Sequence, residues 1–98
     1  MRSAIEIVEA CLHGVRTKDL GRAPVAPDVA ELLSRLLPLI IDLRIERHVV
    51  EGPYVATLLE VEALSGNFSA CVWFRLSNGS IVEIRPFLRS VDPKRRAA

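Results

Sequence analysis

NFSACVWFRLSNGSIVEIRPFLRS, residues 67–90, is the stretch that decides the fold of this chain. Two runs rich in Val, Ile, Phe and Trp flank Asn78-Gly79. Asn-Gly between apolar runs is the strongest short-range sequence signal of a β-hairpin. The stretch therefore predicts a long antiparallel hairpin.

The register of this hairpin follows from how it sorts its side chains. A two-residue turn at Asn78-Gly79 would mix Glu83 with the apolar residues. A three-residue loop with Gly79 as a left-handed G1 bulge instead leaves one wholly apolar face, so we predict that register. Its inner face carries Val72, Phe74, Leu76, Val82, Ile84, Pro86 and Leu88. Its outer face carries Trp73, Arg75, Ile81, Glu83 and Arg85, with Glu83 directly across from Trp73.

Two further strands and two helices precede the hairpin. Leu43 to Val50 and Tyr54 to Leu64 alternate between apolar and polar residues, which is typical of half-buried strands. A Ser-x-x-Glu capping box begins a helix from about Ala4 to Thr17, and Asp28 is predicted to cap a second helix that Pro38 kinks or ends. The apolar stripe of that second helix is Val29, Leu32, Leu33, Leu36, Leu37 and Ile40. The fold class is therefore α+β, with N-terminal helices packed on a four-stranded antiparallel sheet.

Size and composition exclude several classes of protein. The chain has 98 residues and a formal charge of +1, which favours one domain over residues 1–90 and gives no reason to expect a nucleic-acid partner. Residues 91–98 bring three basic residues but little to bury, so we expect a flexible tail. With two cysteines, no signal-peptide pattern and no apolar run near 18 residues, a cytoplasmic protein without membrane contact is expected.

Few polar residues stand where chemistry would need them. His48 shares its predicted strand face with exposed charges, and no Cys, His or carboxylate stands at metal-ligand spacing to it, so no metal or cofactor is expected. Cys11 on the first helix and Cys71 on the outer sheet face are not predicted to form a disulfide. Strict alternation places Arg47 on the apolar face, where it could bind an anionic group. A bulge or snorkelling that carries the guanidinium to the rim is the alternative.

The order of these elements resembles the nuclear transport factor 2-like superfamily, in its branch of SnoaL-like polyketide cyclases and ketosteroid isomerases. The resemblance rests on residues 8–20, 26–29, 36–52 and 73–84, and covers most of the chain. It implies a cystatin-like cone, in which a curved sheet and the helices enclose a mostly apolar pocket. The family usually inserts a strand or hairpin after the Pro-Asp-Val segment, so this chain resembles a shortened member.

The chemistry of these relatives does not carry over residue by residue. Ketosteroid isomerases have a tyrosine where this chain has Cys11 and an acid where it has Val72, so that activity is expected to be absent. An epoxide hydrolase of this fold needs two carboxylates and an arginine that converge in the pocket. The predicted register turns the strand carboxylates and the arginines of the hairpin outward. The sequence thus favours a domain that holds a small hydrophobic molecule without recognisable catalytic residues. Two alternatives stay open: an isomerase, cyclase or epoxide hydrolase using Arg47, Tyr54 or Cys11, and a structural dimerisation module with a filled pocket.

Two sets of residues are predicted to form contacts with other molecules. The predicted ligand pocket consists of Leu12, Val15, Leu33, Leu37, Arg47, Thr57, Leu59, Val72, Phe74, Val82 and Ile84. The predicted homodimer interface consists of Leu58, Trp73, Arg75, Ile81 and Glu83. Trp73 decides the second set, because a tryptophan in an exposed apolar patch ringed by charge usually marks an association surface.

Overall fold

Two helices pack on one face of a four-stranded antiparallel sheet in the computed structural model, which describes residues 3–90 and the side chains of residues 3–87. The predicted tail, 91–98, and the side chain of Leu88 lie outside the described residues. The elements are α1 (Ala4–Thr17), α2 (Pro27–Leu36), a 3-10 helix (Leu37–Leu39), β1 (Ile40–Glu51), β2 (Tyr54–Ala63), β3 (Gly66–Ser77) and β4 (Ser80–Ser90). The strands lie in the order β1-β2-β3-β4, so the predicted meander and the α+β class are confirmed.

The two helices begin for different reasons. At α1 the Ser3 hydroxyl accepts a hydrogen bond from the backbone N–H of Glu6, whose carboxylate accepts one from the backbone N–H of Ser3, as the capping box predicts. At α2 the predicted cap is wrong. Ala26 is the N-cap, Pro27 occupies the first turn with its fixed φ, and Asp28 follows inside that turn without capping it. The α-helix ends at Leu36, just before Pro38, as predicted.

A β-bulge in β1 reverses two predicted side-chain directions. Ile45 pairs with Leu59 but Arg47 pairs with Leu58, so Glu46 is an extra residue between two consecutive pairs. Arg47 is therefore exposed on the outer face and His48 lies on the inner face, opposite Thr57. The prediction of Arg47 in the pocket is wrong for this reason, and the alternative of a bulge in this strand is correct.

The hairpin also contains a bulge, at a different place from the predicted one. Asn78 and Gly79, with φ of 52° and 77°, form a two-residue turn that closes the pair Ser77 and Ser80. Arg75 pairs with Glu83 and Leu76 with Ile81, which makes Val82 the extra residue. Beyond Val82 the predicted faces are correct, although Glu83 lies opposite Arg75 rather than Trp73.

Ile81 consequently lies inside the protein, and its predicted place in a dimer interface is wrong. Its exposed fraction is 0%. The segment between the helices covers it: the backbone N–H of Ala26 donates to the Ile81 carbonyl at 2.8 Å, and the Ile81 N–H donates to the Pro24 carbonyl at 2.8 Å. Val25 forms a parallel bridge with the same residue. The connection from α1 to α2 is thereby fixed to the start of β4.

No helix in residues 3–90 is long and apolar enough to cross a membrane.

Candidate functional site

An apolar cavity of about 120 Å³ lies between the two helices and the inner face of the sheet. It is lined by Cys11, Leu12, Val15, Leu33, Ile40, Leu43, Leu59, Val61, Phe68, Ala70, Val72, Phe74, Ile84 and Pro86. Ala70, one of these residues, places only a methyl group between Phe68 and Val72 on the inner face of β3, which leaves room in the interior. The wall is therefore hydrocarbon apart from one thiol.

The structure brings most of the predicted pocket residues to this cavity and leaves four outside it. The lining includes Leu12, Val15, Leu33, Leu59, Val72, Phe74 and Ile84. Leu37 is partly buried in the 3-10 helix, Val82 is the bulge residue, Arg47 is exposed, and Thr57 is buried behind the wall. Val61 lines the cavity although it was not among the predicted residues, and the alternation that indicated Leu59 would have indicated it too.

Cys11 contributes the one thiol of this wall, and its surroundings keep it unreactive. Burial raises the pKa of the Cys11 thiol to about 12, because a thiolate would lose its hydration there. A neutral thiol is a poor nucleophile. No histidine or carboxylate lines the cavity among the described residues, so none is placed to take the proton from Cys11. The geometry therefore does not support nucleophilic catalysis by this residue.

A partly buried polar network that the sequence did not reveal joins α1 to the sheet. The Nε2 of His48 lies 3.0 Å from a carboxylate oxygen of Glu9, and its Nδ1 lies 2.9 Å from the hydroxyl of Thr57. The side chain of His48 is only 9% exposed. A carboxylate only accepts hydrogen bonds, so Nε2 carries the proton, and in the neutral ring Nδ1 accepts from Thr57. The network holds α1 over the sheet beside the cavity.

The outer face of the sheet carries a depression of about 300 Å³. It is lined by Tyr54, Trp73, Arg75, Glu83, Arg85 and Phe87. The rings of Tyr54 and Trp73 meet edge to face, with centroids 6.1 Å apart. Tyr54 therefore belongs to the outer face and does not reach the cavity.

Glu83 organises the charges of this outer depression. The Nε atoms of Arg75 and Arg85 donate to its two carboxylate oxygens at 2.9 Å and 2.8 Å. These hydrogen bonds, that of Arg75 foremost, lower the pKa of Glu83, and the bond to Glu83 raises the pKa of Arg75. One carboxylate between two guanidinium groups leaves an excess positive charge beside the aromatic rings. Within residues 3–90 no group of three or more His, Cys, Asp or Glu side chains is placed to hold a metal ion.

Comparison with solved structures decides the fold. An NTF2-like protein of unknown function from Cytophaga hutchinsonii superposes with a TM-score of 0.75 at 12% identity, over 100% of this chain and 97% of that one. A protein of unknown function with a cystatin-like fold from Xanthomonas campestris gives 0.75 at 19% identity, over 91% and 92% of the two chains. The chain has an NTF2-like fold. No protein-family model matches its sequence, and no curated protein matches it either.

This is the nuclear transport factor 2-like (NTF2-like) fold that was predicted from the sequence, so this part of the resemblance is confirmed. A protein from Jannaschia sp. CCS1 whose name likens it to SnoaL polyketide cyclases also superposes, with a TM-score of 0.67 at 16% identity over 90% of both chains. Identities this low establish a common architecture and carry no activity from one chain to another. In this NTF2-like fold the apolar cavity is the interior between the sheet and the helices. What the cavity does has to be argued from its own residues.

Proposed function

We propose that this protein holds a small apolar molecule in the cavity between its helices and its sheet. The observation that carries the proposal is an unfilled volume of about 120 Å³ with a wall of hydrocarbon. An engineered apolar cavity of roughly 150 Å³ in another protein stays dry and binds benzene or xenon. A molecule the size of one six-membered ring therefore matches the cavity in volume and polarity.

Binding without chemistry accounts for the wall better than an enzyme does. Acid–base catalysis needs at least one titrating group near its working pH within hydrogen-bond reach of the substrate. The polar group of the described wall is the Cys11 thiol, with a pKa raised to about 12. Arg47 and Tyr54, the other candidates for a catalytic role, lie on the outer face. A structural module with a filled interior would not leave this volume open.

Benzene titration followed by methyl NMR tests the proposal. We expect saturable shifts in the methyl signals of Leu12 and Leu59, with smaller shifts outside the cavity. Ala70→Leu fills the cavity and should abolish the saturable component. Ser69→Leu, which places the same leucine side chain on the outer face of the same strand, should retain it. Benzene shifts that are unsaturable, or equal in the two variants, would refute binding in the cavity.

A second proposal concerns the outer face, where two copies of the chain would pair around Trp73. Leu58, Trp73 and Phe87 are large apolar side chains left exposed there. The arrangement of one carboxylate between two guanidinium groups can exchange partners across a two-fold axis, as a symmetric interface requires. Ile81 has no part in this surface because it is buried.

A further inference from the structure

A strip of exposed apolar side chains leads away from the cavity along α2 and the end of the sheet. The strip consists of Leu32, Leu36, Leu39, Ile41 and Leu64. Leu32 and Leu36 are four residues apart and share one face of α2. Leu39 and Leu64 are 52% and 69% exposed, although leucine favours burial. In the apolar stripe predicted for the second helix, Leu32 and Leu36 are thus left exposed in the single chain.

The strip is a fixed surface, because hydrogen bonds hold its parts together. The backbone N–H of Leu64 donates to the Leu39 carbonyl at 2.9 Å, which joins the turn between β2 and β3 to the 3-10 helix. The Lys18 ammonium donates to the carbonyls of Leu37 and Ile40, which ties the same region to the end of α1. An exposed apolar surface that is held in place in this way is preformed for a ligand.

The strip and the lining of the cavity contain neighbouring residues. Leu33, which lines the cavity, and Leu36 of the strip are three residues apart in α2 and are therefore neighbours on its surface. Ile40, which also lines it, lies between Leu39 and Ile41, two members of the strip. The lining of the cavity runs along the sheet, with Ile84 and Phe74 at one end and Ile40 and Phe68 at the other. Leu64 lies at the end of the sheet that contains Ile40 and Phe68. At that end the strip therefore adjoins residues that line the cavity.

We propose that the natural ligand is an elongated amphiphile, such as an acyl or alkyl chain with a polar end. Its apolar end fills the cavity, the next part of the chain lies on the strip, and its polar end remains in water. This inference rests on the proposed function and adds the ligand's length and class. The cavity accounts for roughly six carbon atoms by comparison with benzene. The strip gives a longer chain apolar surface that a ring-sized molecule would leave uncovered.

The test is a titration with the series of straight-chain alcohols from 1-butanol to 1-decanol, followed by methyl NMR. Full burial of each methylene strengthens binding on the order of fourfold, and half burial about twofold. We expect the affinity to rise about fourfold per methylene up to 1-hexanol and about twofold per methylene from 1-hexanol to 1-decanol. In Leu36→Ser/Leu39→Ser the gain beyond 1-hexanol should vanish, while the short alcohols still bind.

A matched variant, Val49→Ser/Val50→Ser, removes two exposed apolar side chains far from the strip and should leave both gains unchanged. A wild-type protein whose affinity stays flat beyond 1-hexanol, or a strip variant that keeps the second gain, would overturn the elongated ligand and leave cavity binding standing. Failure of 1-butanol to 1-hexanol to bind at all would overturn both proposals. Strip variants that change the oligomeric state would show instead that a second copy covers the strip.

Discussion

At the scale of single residues, one bulged position decides which polar groups are inside. Strict alternation along β1 predicts Arg47 inside and His48 outside, and both directions are reversed because Glu46 is an extra residue. Patterning in a strand has a period of two, so an arginine on the apolar face raised the alternative of a bulge but did not locate it at Glu46. The pairing of His48 with Glu9 and Thr57 satisfies the buried ring and makes the bulge tolerable. Such long-range partners could not be read from the local sequence.

Thr57→Val is expected to destabilise the protein by about 1–3 kcal/mol, because it leaves the Nδ1 of a buried histidine without a hydrogen-bond partner. Thr17→Val is the matched control. The Thr17 hydroxyl donates to the His13 carbonyl on an exposed turn of helix, and its loss should change the free energy of unfolding by less than about 0.5 kcal/mol. Urea denaturation of both variants measures the difference. Equal effects would mean that Thr57 is not needed to satisfy His48.

Cys11 is expected to resist alkylation in the folded protein, even at alkaline pH. Burial raises its pKa from 9.0 to about 12, so the folded thiol stays neutral while the unfolded one ionises. The resulting stability is complete below about pH 9 and is lost as the pH rises toward 12. Iodoacetamide labelling of Cys71→Ser should therefore be limited by unfolding, whereas Cys11→Ser, which retains the half-buried Cys71, should label directly. Rapid labelling of Cys11 in native protein at pH 9 would contradict the burial argument.

At the scale of elements, the parts fixed by local signals were predicted and the parts fixed by distant contacts were not. The bounds of α1 follow from its capping box and its apolar spacing, and both are local. The hairpin was predicted with the correct faces over most of its length, because one face had to be apolar. The bulge was predicted at Gly79 but lies at Val82, because residues 24–26 bury Ile81 and its own strand neighbours do not. The sequence of the hairpin alone carries no information on that cover.

Deleting Glu46 is expected to preserve the fold, because Ile45 and Arg47 then become consecutive residues that keep their present inner and outer positions. Deleting Arg44 is the matched control. A regular strand counted from His48 then turns Glu46 inward and Ile45 outward, at a cost on the order of 3 kcal/mol for the buried carboxylate. Thermal unfolding of both deletions followed by circular dichroism tests the assignment. A Glu46 deletion as damaging as the Arg44 deletion would show that the bulge itself is required, through the bend that it gives the sheet.

At the scale of the whole molecule, the architecture was predictable and the size of its interior was not. Helices with one apolar stripe and a sheet with one apolar face can only pack together, so the two layers follow from patterning. The volume left between them depends on whether Ala70, Leu33 and the other wall residues fill the space, which is a matter of about one side chain. Patterning reports polarity and period but not this residual volume.

Two such molecules are expected to assemble through the outer face of the sheet. Trp73 is 42% exposed and lies in an aromatic cluster beside a mixed charged group, so its burial in a symmetric interface would remove apolar surface from water. We expect light scattering to show a dimer at tens of micromolar, and Trp73→Glu to be monomeric because two carboxylates would meet across the axis. Leu36→Glu is the matched control, since Leu36 is 39% exposed but lies on α2, away from the outer face. If Leu36→Glu dissociates the dimer and Trp73→Glu does not, the interface lies on the apolar strip and the exposed tryptophan has another role.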